Sequence, residues 1–404
     1  MIPRLKPYLG LEEIQAVVFH SGEAVRQFET AFAEAFQVRH ALAFPYGRSA
    51  LWAFFKAMDI QNAEVVQPAY TCSVVGHATV ESGNIPVFVD ISLADYNMDY
   101  EKLAQAITAK TRVVIPTHLF GYPMDINRVH AIVQDAEARF GHRIYIIQDC
   151  AHSFEAEWQG RSVIRSGDGA LFGLGISKQI TSIFGGMFTT DNDEIAERMR
   201  KFRDTTYAPG SWVRSLKRAL YLMAVYPAFS EGIYGLVYWL QERTPLLNRL
   251  TKAYHLDQKI HLPPDFKIQM TPVEAAVGIA QLRKYPEIKS ARRKIADFYF
   301  DHIKLPPDWV MAPHIPGATY SHFVLRVPDR MRVMAQAAAH GVQLGQLIEY
   351  SMPHLAAYRS YADPSEFPNS LLCSQTTINL PIHPGLSPQD VEKVIHAIAE
   401  TVSH

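Results

Sequence analysis

Two regimes of hydrophobic patterning divide the chain. In the first, short apolar runs recur at Ala41–Phe44, Glu64–Val66, Pro86–Val89, Arg112–Pro116, Arg143–Gln148, Gly169–Phe172 and Gly186–Thr189. Amphipathic helical stretches stand among them, at Ser49–Met58, Ser73–Ser82, Tyr100–Ala106, Ile126–Phe140 and Glu194–Phe202. Short strands alternating with helices predict βαβ units and a mostly parallel, seven-stranded sheet. The runs are apolar throughout instead of alternating, as expected where helices cover both faces. Residues 11–36 precede them as two helices with a break at Ser21 and Gly22.

The rhythm changes after Asp204. Residues 205–262 carry no clear strand, and a long helical pattern then runs from Pro272 through Ala296. The remainder reads as α+β. Strands are expected at Tyr320–Val327, Val342–Leu344 and Thr376–Asn379, and helices at Met331–His340, Ser370–Ser374 and Ser387–Glu400. Ser387-Pro388 is a helix start, with an N-cap serine and proline at the first helical position. The pattern predicts a large α/β domain over residues 1–245, carrying an insertion at about 205–262. A linking helix and a small α+β domain follow over residues 263–404.

Composition removes several classes. Lys plus Arg is 39 and Asp plus Glu is 40, a net charge of −1, so there is no basic footprint for nucleic acid. The three cysteines, Cys72, Cys150 and Cys373, form no CxxC pair, which argues against a disulfide scaffold or a cysteine zinc site. Such sparse usage fits a reducing compartment. The opening residues show no apolar signal core, so a cytoplasmic protein is expected. One stretch departs from this picture. Residues 219–240 hold a single charged group, Glu231, with Arg214, Lys217 and Arg218 just before them and many aromatics within. They read as a buried or subunit-facing helical hairpin broken at Pro227 and Gly232, with a peripheral membrane patch or, less in keeping with the middle of an enzyme domain, a membrane span as the alternatives.

Three places carry candidate chemistry. Asp149 ends an apolar strand, where parallel sheets place ligands, and His152 follows it closely; a plain helix-capping aspartate is the simpler reading. Lys178 lies between two apolar strands, beside Ser177 and close to the pair Gly185-Gly186; a desolvated amine there could form a Schiff base, while a solvated loop lysine is commoner. Gly47, Arg48 and Ser49 connect a strand to a helix, where a tight turn and helix N-terminal amides suit an anion, or Ser49 merely caps the helix. A phosphate cradle, an acid and an imine-forming lysine together would suit pyridoxal phosphate.

Here the chain resembles the DegT-type aminotransferases, the nucleotide-sugar branch of fold-type-I pyridoxal-phosphate enzymes. The resemblance runs from Pro7-Tyr8-Leu9-Gly10 through Gly47–Leu51, Pro86–Asp90, Phe120-Gly121-Tyr122-Pro123, Gln148–Ala151 and Lys178–Gly186. It continues through Glu274-Ala275-Ala276 and Gln281-Leu282 to His322-Phe323, Pro353-His354-Leu355 and Leu380-Pro381. It implies the fold-type-I α/β architecture and a pyridoxal 5′-phosphate-dependent aminotransferase. Glutamate would donate the amine, a nucleotide-linked keto sugar would accept it, and a homodimer would share its active sites. No metal is implied. Lys178 takes the place of the Schiff-base lysine and Asp149 that of the pyridine-nitrogen partner. His152 takes the slot near the phenolic oxygen, and Gly47, Arg48 and Ser49 the phosphate cradle.

Several positions depart from the family pattern. Cys72 stands where an aromatic usually stacks on the ring, so either its thiol packs there or Tyr70 compensates. Gly173 replaces a phosphate-binding serine, a role Ser177 could take over. Lys267 replaces the asparagine of a loop that reaches the partner subunit's phosphate, and Phe184 replaces a glutamate. Two other readings stay open: a non-catalytic binding relative, and a sugar dehydratase. Keeping both Asp149 and Lys178 argues against the first. Lys178 itself argues against the second, whose branch of the family carries histidine there. His322 and His354 are candidate substrate contacts, and His130 reads as a surface residue.

Overall fold

The computed structural model describes residues 1–229, 234–235 and 259–402. Seven strands form one sheet: β1 His40–Phe44, β2 Glu64–Pro68, β3 Ile85–Val89, β4 Thr111–Val114, β5 Tyr145–Asp149, β8 Gly169–Gly173 and β9 Gly186–Thr190. Between β5 and β8 a two-residue hairpin, β6 Glu157–Trp158 and β7 Arg161–Ser162, was not visible in the sequence pattern. The order across the large sheet is β1-β9-β8-β5-β4-β2-β3. Only β9 runs against its neighbours, pairing antiparallel with both β1 and β8. The carboxyl ends of β1, β2, β4, β5 and β8 therefore meet along one edge. The strand order reverses at β2, where the chain passes to β3 on one side and returns to β4 on the other, the place where such sheets open a crevice.

Both faces of the sheet are buried, which explains the continuous apolar runs. Leu42, Phe44, Leu171 and Phe188 point into a cluster with Leu51, Phe54 and Met199. Their neighbours Ala41, Ala43, Ala170, Phe172 and Met187 point the other way, against Phe28, Phe32 and Tyr285. The helices start where polar caps allow. Asp125 accepts hydrogen bonds from the amides of Asn127 (3.0 Å) and Arg128 (3.1 Å) at the start of helix Ile126–Phe140. Gly141, at φ 72°, closes that helix in the left-handed region.

The predicted long helix runs farther than its periodicity indicated, from Pro272 to His302, and passes through Pro286. Its capping box is complete: Glu274 accepts from the Thr271 amide at 2.9 Å while Thr271 caps the Glu274 amide. Its second half joins a C-terminal cluster with the antiparallel pair β10 Phe323–Arg326 and β11 Thr377–Leu380, and with helices Arg330–Ala339 and Pro388–Val402.

Three expectations need correction. Val342–Leu344 forms no strand: Val342 makes one bridge to Ile2 and Gly345 one to Asn379, so no ladder propagates. The strand expected from Tyr320 starts at Phe323, because Tyr320 itself is held at φ 45°. Pro227 does not break its helix, which spans Trp212–Ala228 and ends one residue beyond it. Gly232 and most of residues 230–240 lie outside the described residues.

Candidate active site

At the carboxyl edge of the sheet a cavity is lined by the turn Tyr46-Gly47-Arg48, by Thr71 and Cys72 after β2, by Thr117 after β4, and by Asp149 and His152 after β5. Ser177, Lys178 and Phe184 complete it from the β8–β9 connection. Five separate stretches of chain thus converge where the topology opens.

The turn after β1 is pressed against the sheet. A Cβ on Gly47 would stand 3.0 Å from the carbonyl oxygen of Phe172, so only glycine nests there without displacing backbone. The Ser49 amide is spent inside the turn, donating to the Tyr46 carbonyl at 3.1 Å. Its hydroxyl, by contrast, is buried and has no hydrogen-bond partner among the described residues. Ser49 does not line the cavity wall but stands one residue behind it. The Thr117 hydroxyl is a second buried group without a partner, and it does line the cavity. Thr117 thus gives the cavity wall a polar group that an occupant can bond.

Asp149 ends β5 with its carboxylate accepting from the Ala151 amide at 3.1 Å. Burial raises its pKa, opposed by that hydrogen bond and by the charge of Lys178. Burial lowers the pKa of Lys178, opposed by Cys72 and Asp149. The amine is thus biased toward its neutral, nucleophilic form while an acid stands near to stabilise positive charge. Gly173 makes room for this side chain: a Cβ there would touch Lys178 Cε at 3.4 Å.

His152 Nδ1 accepts from the Phe120 amide at 3.3 Å, which leaves Nε2 as the donor of the neutral ring. Burial, with the charges of Lys178 and His322, holds its pKa well below the usual histidine range. Cys72 lines the wall just ahead of helix Ser73–Glu81, whose first amide donates to the Tyr350 hydroxyl at 2.9 Å.

Not every expected residue arrives. Tyr70 cannot stand in for a stacking ring, because its hydroxyl is tied to Thr377 (2.9 Å) and to the Ile348 carbonyl (3.2 Å) in the C-terminal core. That leaves Cys72 alone of the two on the cavity wall. Lys267 is not on the wall either; its ammonium sits over the Trp52 ring, 4.7 Å from the centroid. His322 packs behind His152, with ring centroids 5.2 Å apart, and His354 stays off the wall. His130 is half-buried with Nε2 3.2 Å from the Ser166 carbonyl, not a free surface group. Sequence reasoning missed Thr117 and Tyr46. A strand-end signal existed for Thr117, since it follows β4 and bridges to Asp149.

The profile of the DegT/DnrJ/EryC1/StrS aminotransferase family matches residues 11–399. The chain belongs to that family. Like the family, it is a pyridoxal-phosphate-dependent aminotransferase. Among curated relatives, GDP-perosamine synthase of Caulobacter vibrioides is 26% identical over 391 residues, covering 94% of this chain and 91% of the relative. The fold matches sugar aminotransferase CalS13 from Micromonospora echinospora with a TM-score of 0.79 at 19% identity, covering 99% of this chain and all of that one. The PLP form of Spr1654 from Streptococcus pneumoniae, described as a putative sugar aminotransferase, gives a TM-score of 0.77 at 22% identity, covering 100% of this chain and 98% of that one.

Proposed function

We propose that this aminotransferase moves an amino group from glutamate to a keto sugar carried on a nucleotide, and that it works as a homodimer. The observation that carries the reading is the pairing of Lys178 and Asp149 across one cavity, beside a glycine turn with an unpartnered serine hydroxyl. A non-catalytic relative would have no use for a buried amine, its pKa lowered by desolvation, facing a carboxylate. The sugar half of the reading draws on the family and on the GDP-perosamine synthase likeness.

The residues present fit pyridoxal phosphate. Ser49, with Gly47 and Arg48, offers the orphaned hydroxyl and the close-packed turn that a phosphate requires. When bound, the cofactor supplies an electron sink that stores the amino group between the two half-reactions. Asp149 would hold a proton on the cofactor's ring nitrogen. Lys178 Nζ would hold the cofactor and, when free, would carry a proton to and from the substrate carbon. The Nε2–H of His152 would be available to the ring's phenolic oxygen. Cys72 would face the ring from the cavity wall, and Ser177, beside the lysine, would be a further phosphate donor. Lys267 stands off its own cavity wall; the family resemblance would have it serve the phosphate of a second subunit, and the dimer reading draws on that resemblance. Phe184 and Tyr46 give the cavity beside the amine apolar walls.

The test is the absorption spectrum with added pyridoxal phosphate, for the parent and for Lys178→Ala. The expected result is a visible band in the parent alone, bleached by glutamate and restored by a nucleotide-linked keto sugar. No band at saturating cofactor would overturn the assignment of the site. A band that glutamate bleaches but no nucleotide-linked sugar restores would overturn only the acceptor.

A further inference from the structure

Helix Trp212–Ala228 is built inside out for a water-soluble surface. Its inward stripe is Arg214, Arg218 and Leu222. Arg214 Nη1 is 2.8 Å from the Asp265 carboxylate, Arg218 Nε is 3.0 Å from Glu274, and Leu222 is buried against Ile183, Val273 and Val277. Its outward stripe is Trp212, Leu216, Leu220 and Met223, which are 77%, 49%, 60% and 47% exposed, with Val213 and Tyr226 beside them. The i, i+4 spacing gathers these groups along a helix roughly 25 Å long. The helix contains no acidic residue, and its one exposed cation is Lys217. A contiguous apolar stripe of this kind marks an interaction surface.

We infer that this outward face lies on an anionic lipid bilayer. Trp212, Tyr221 and Tyr226 supply amphipathic rings suited to the headgroup level, and Lys217 meets lipid phosphate. A second copy of the chain fits less well. An isologous pairing of this face sets Lys217 near its own equivalent, with no acid on the helix to compensate. No helix among the described residues is long and apolar enough to cross a membrane, so the contact is made along the surface. The sequence continues the character past the helix, with Glu231 the single charge in residues 219–240. The face also adjoins the active site, because Tyr221 packs on the cavity residue Phe184 with ring centroids 5.0 Å apart. The bilayer would then lie beside the cavity wall.

The test uses the full chain loaded with pyridoxal phosphate and sedimented with vesicles of phosphatidylcholine, alone or mixed with phosphatidylglycerol. The parent is expected to sediment with the mixed vesicles. The triple variant Leu216→Ser/Leu220→Ser/Met223→Ser should bind at least about tenfold more weakly, since its apolar anchors are removed. Lys217→Glu should bind roughly fivefold more weakly and lose the salt dependence. Mass by light scattering should be the same for all three. A parent that ignores both vesicles, or a triple variant that still binds, overturns the inference. So does a triple variant whose mass falls, which would show that a second copy covers the face. The cofactor band of each variant is recorded in parallel. Loss of lipid binding with that band intact separates this inference from the assignment of the catalytic site.

Discussion

Gly186→Ala tests the phosphate-turn reading most sharply. Gly186 opens β9, paired with Phe44 on one side and Gly173 on the other. A methyl group there would sit 2.2 Å from the Gly47 nitrogen, 2.3 Å from the Tyr46 carbonyl carbon and 2.6 Å from its oxygen. All three are main-chain atoms, so no side chain can swing aside. Ordinary contact begins near 3.4 Å, so the turn has to retreat by about 1.2 Å, the difference between 3.4 and 2.2 Å. Overpacking of this kind costs about 1–3 kcal/mol of stability. Misplacing a binding group by about 1 Å costs on the order of a hundredfold in function. A hundredfold is about 2.7 kcal/mol, so cofactor affinity should fall by about as much free energy as stability does, with the fold intact. The assay is a titration of the visible band with pyridoxal phosphate, beside a melting curve. Gly22→Ala is the control, because nothing lies within 4 Å of its added methyl. If Gly186→Ala binds cofactor within about twofold of the parent, the turn is not the phosphate site and the reasoning fails.

Other outcomes follow from the same geometry. Of the three cysteines only Cys72 is partly exposed, so iodoacetamide should label it first, and cofactor loading should slow the labelling by about tenfold or more, read by mass spectrometry. His118 donates from Nε2 to Gln148 (2.9 Å) and accepts the Met124 amide (3.0 Å), and burial lowers its pKa to about 4. The folded state thus binds this proton later than the unfolded chain does. The contribution is whole above pH 6.5 and is lost as pH falls toward 4, by about 3 kcal/mol; urea unfolding of His118→Gln should lack that part of the slope. The Asp90 carboxylate accepts from the amides of Asn369 (3.1 Å) and Ser370 (2.8 Å) and from the Ser370 hydroxyl (2.5 Å). Asp90→Ala strands these donors and should cost about 3 kcal/mol, with Asp90→Asn recovering part of it, as read by denaturant midpoint.

The sheet was legible because its strands are apolar on both faces and the loops between them are punctuated. Lys178, Asp149 and Gly47 were legible because each sits at a strand end, where the type of residue implies the chemistry. What stayed hidden depends on distance along the chain. Tyr70 and Cys72 are two residues apart, and no local pattern shows that one turns to the C-terminal core while the other faces the cavity. Val342–Leu344 has the composition of a strand, but a ladder needs a partner, and its neighbours offer single bridges only. In Trp212–Ala228 the apolar face suggested burial, yet Asp265 and Glu274 draw its arginines inward instead. Ion pairing across some fifty residues, which periodicity does not register, decides that helix's orientation.

The antiparallel strand β9 also has a consequence for how the chain is made. Among the described residues strand β1 has no neighbour in the sheet other than β9, and the partners His40 and Thr190 lie 150 positions apart (190 − 40). During synthesis His40–Phe44 therefore emerges long before the strand that shields it. Until then its edge is open, and an open apolar edge recruits other strands. The turn at Gly47 can take its final position only when β9 arrives, so cofactor capture comes late in folding. A chain arrested shortly before Gly186 should bind chaperones and aggregate, although it already contains Asp149 and Lys178.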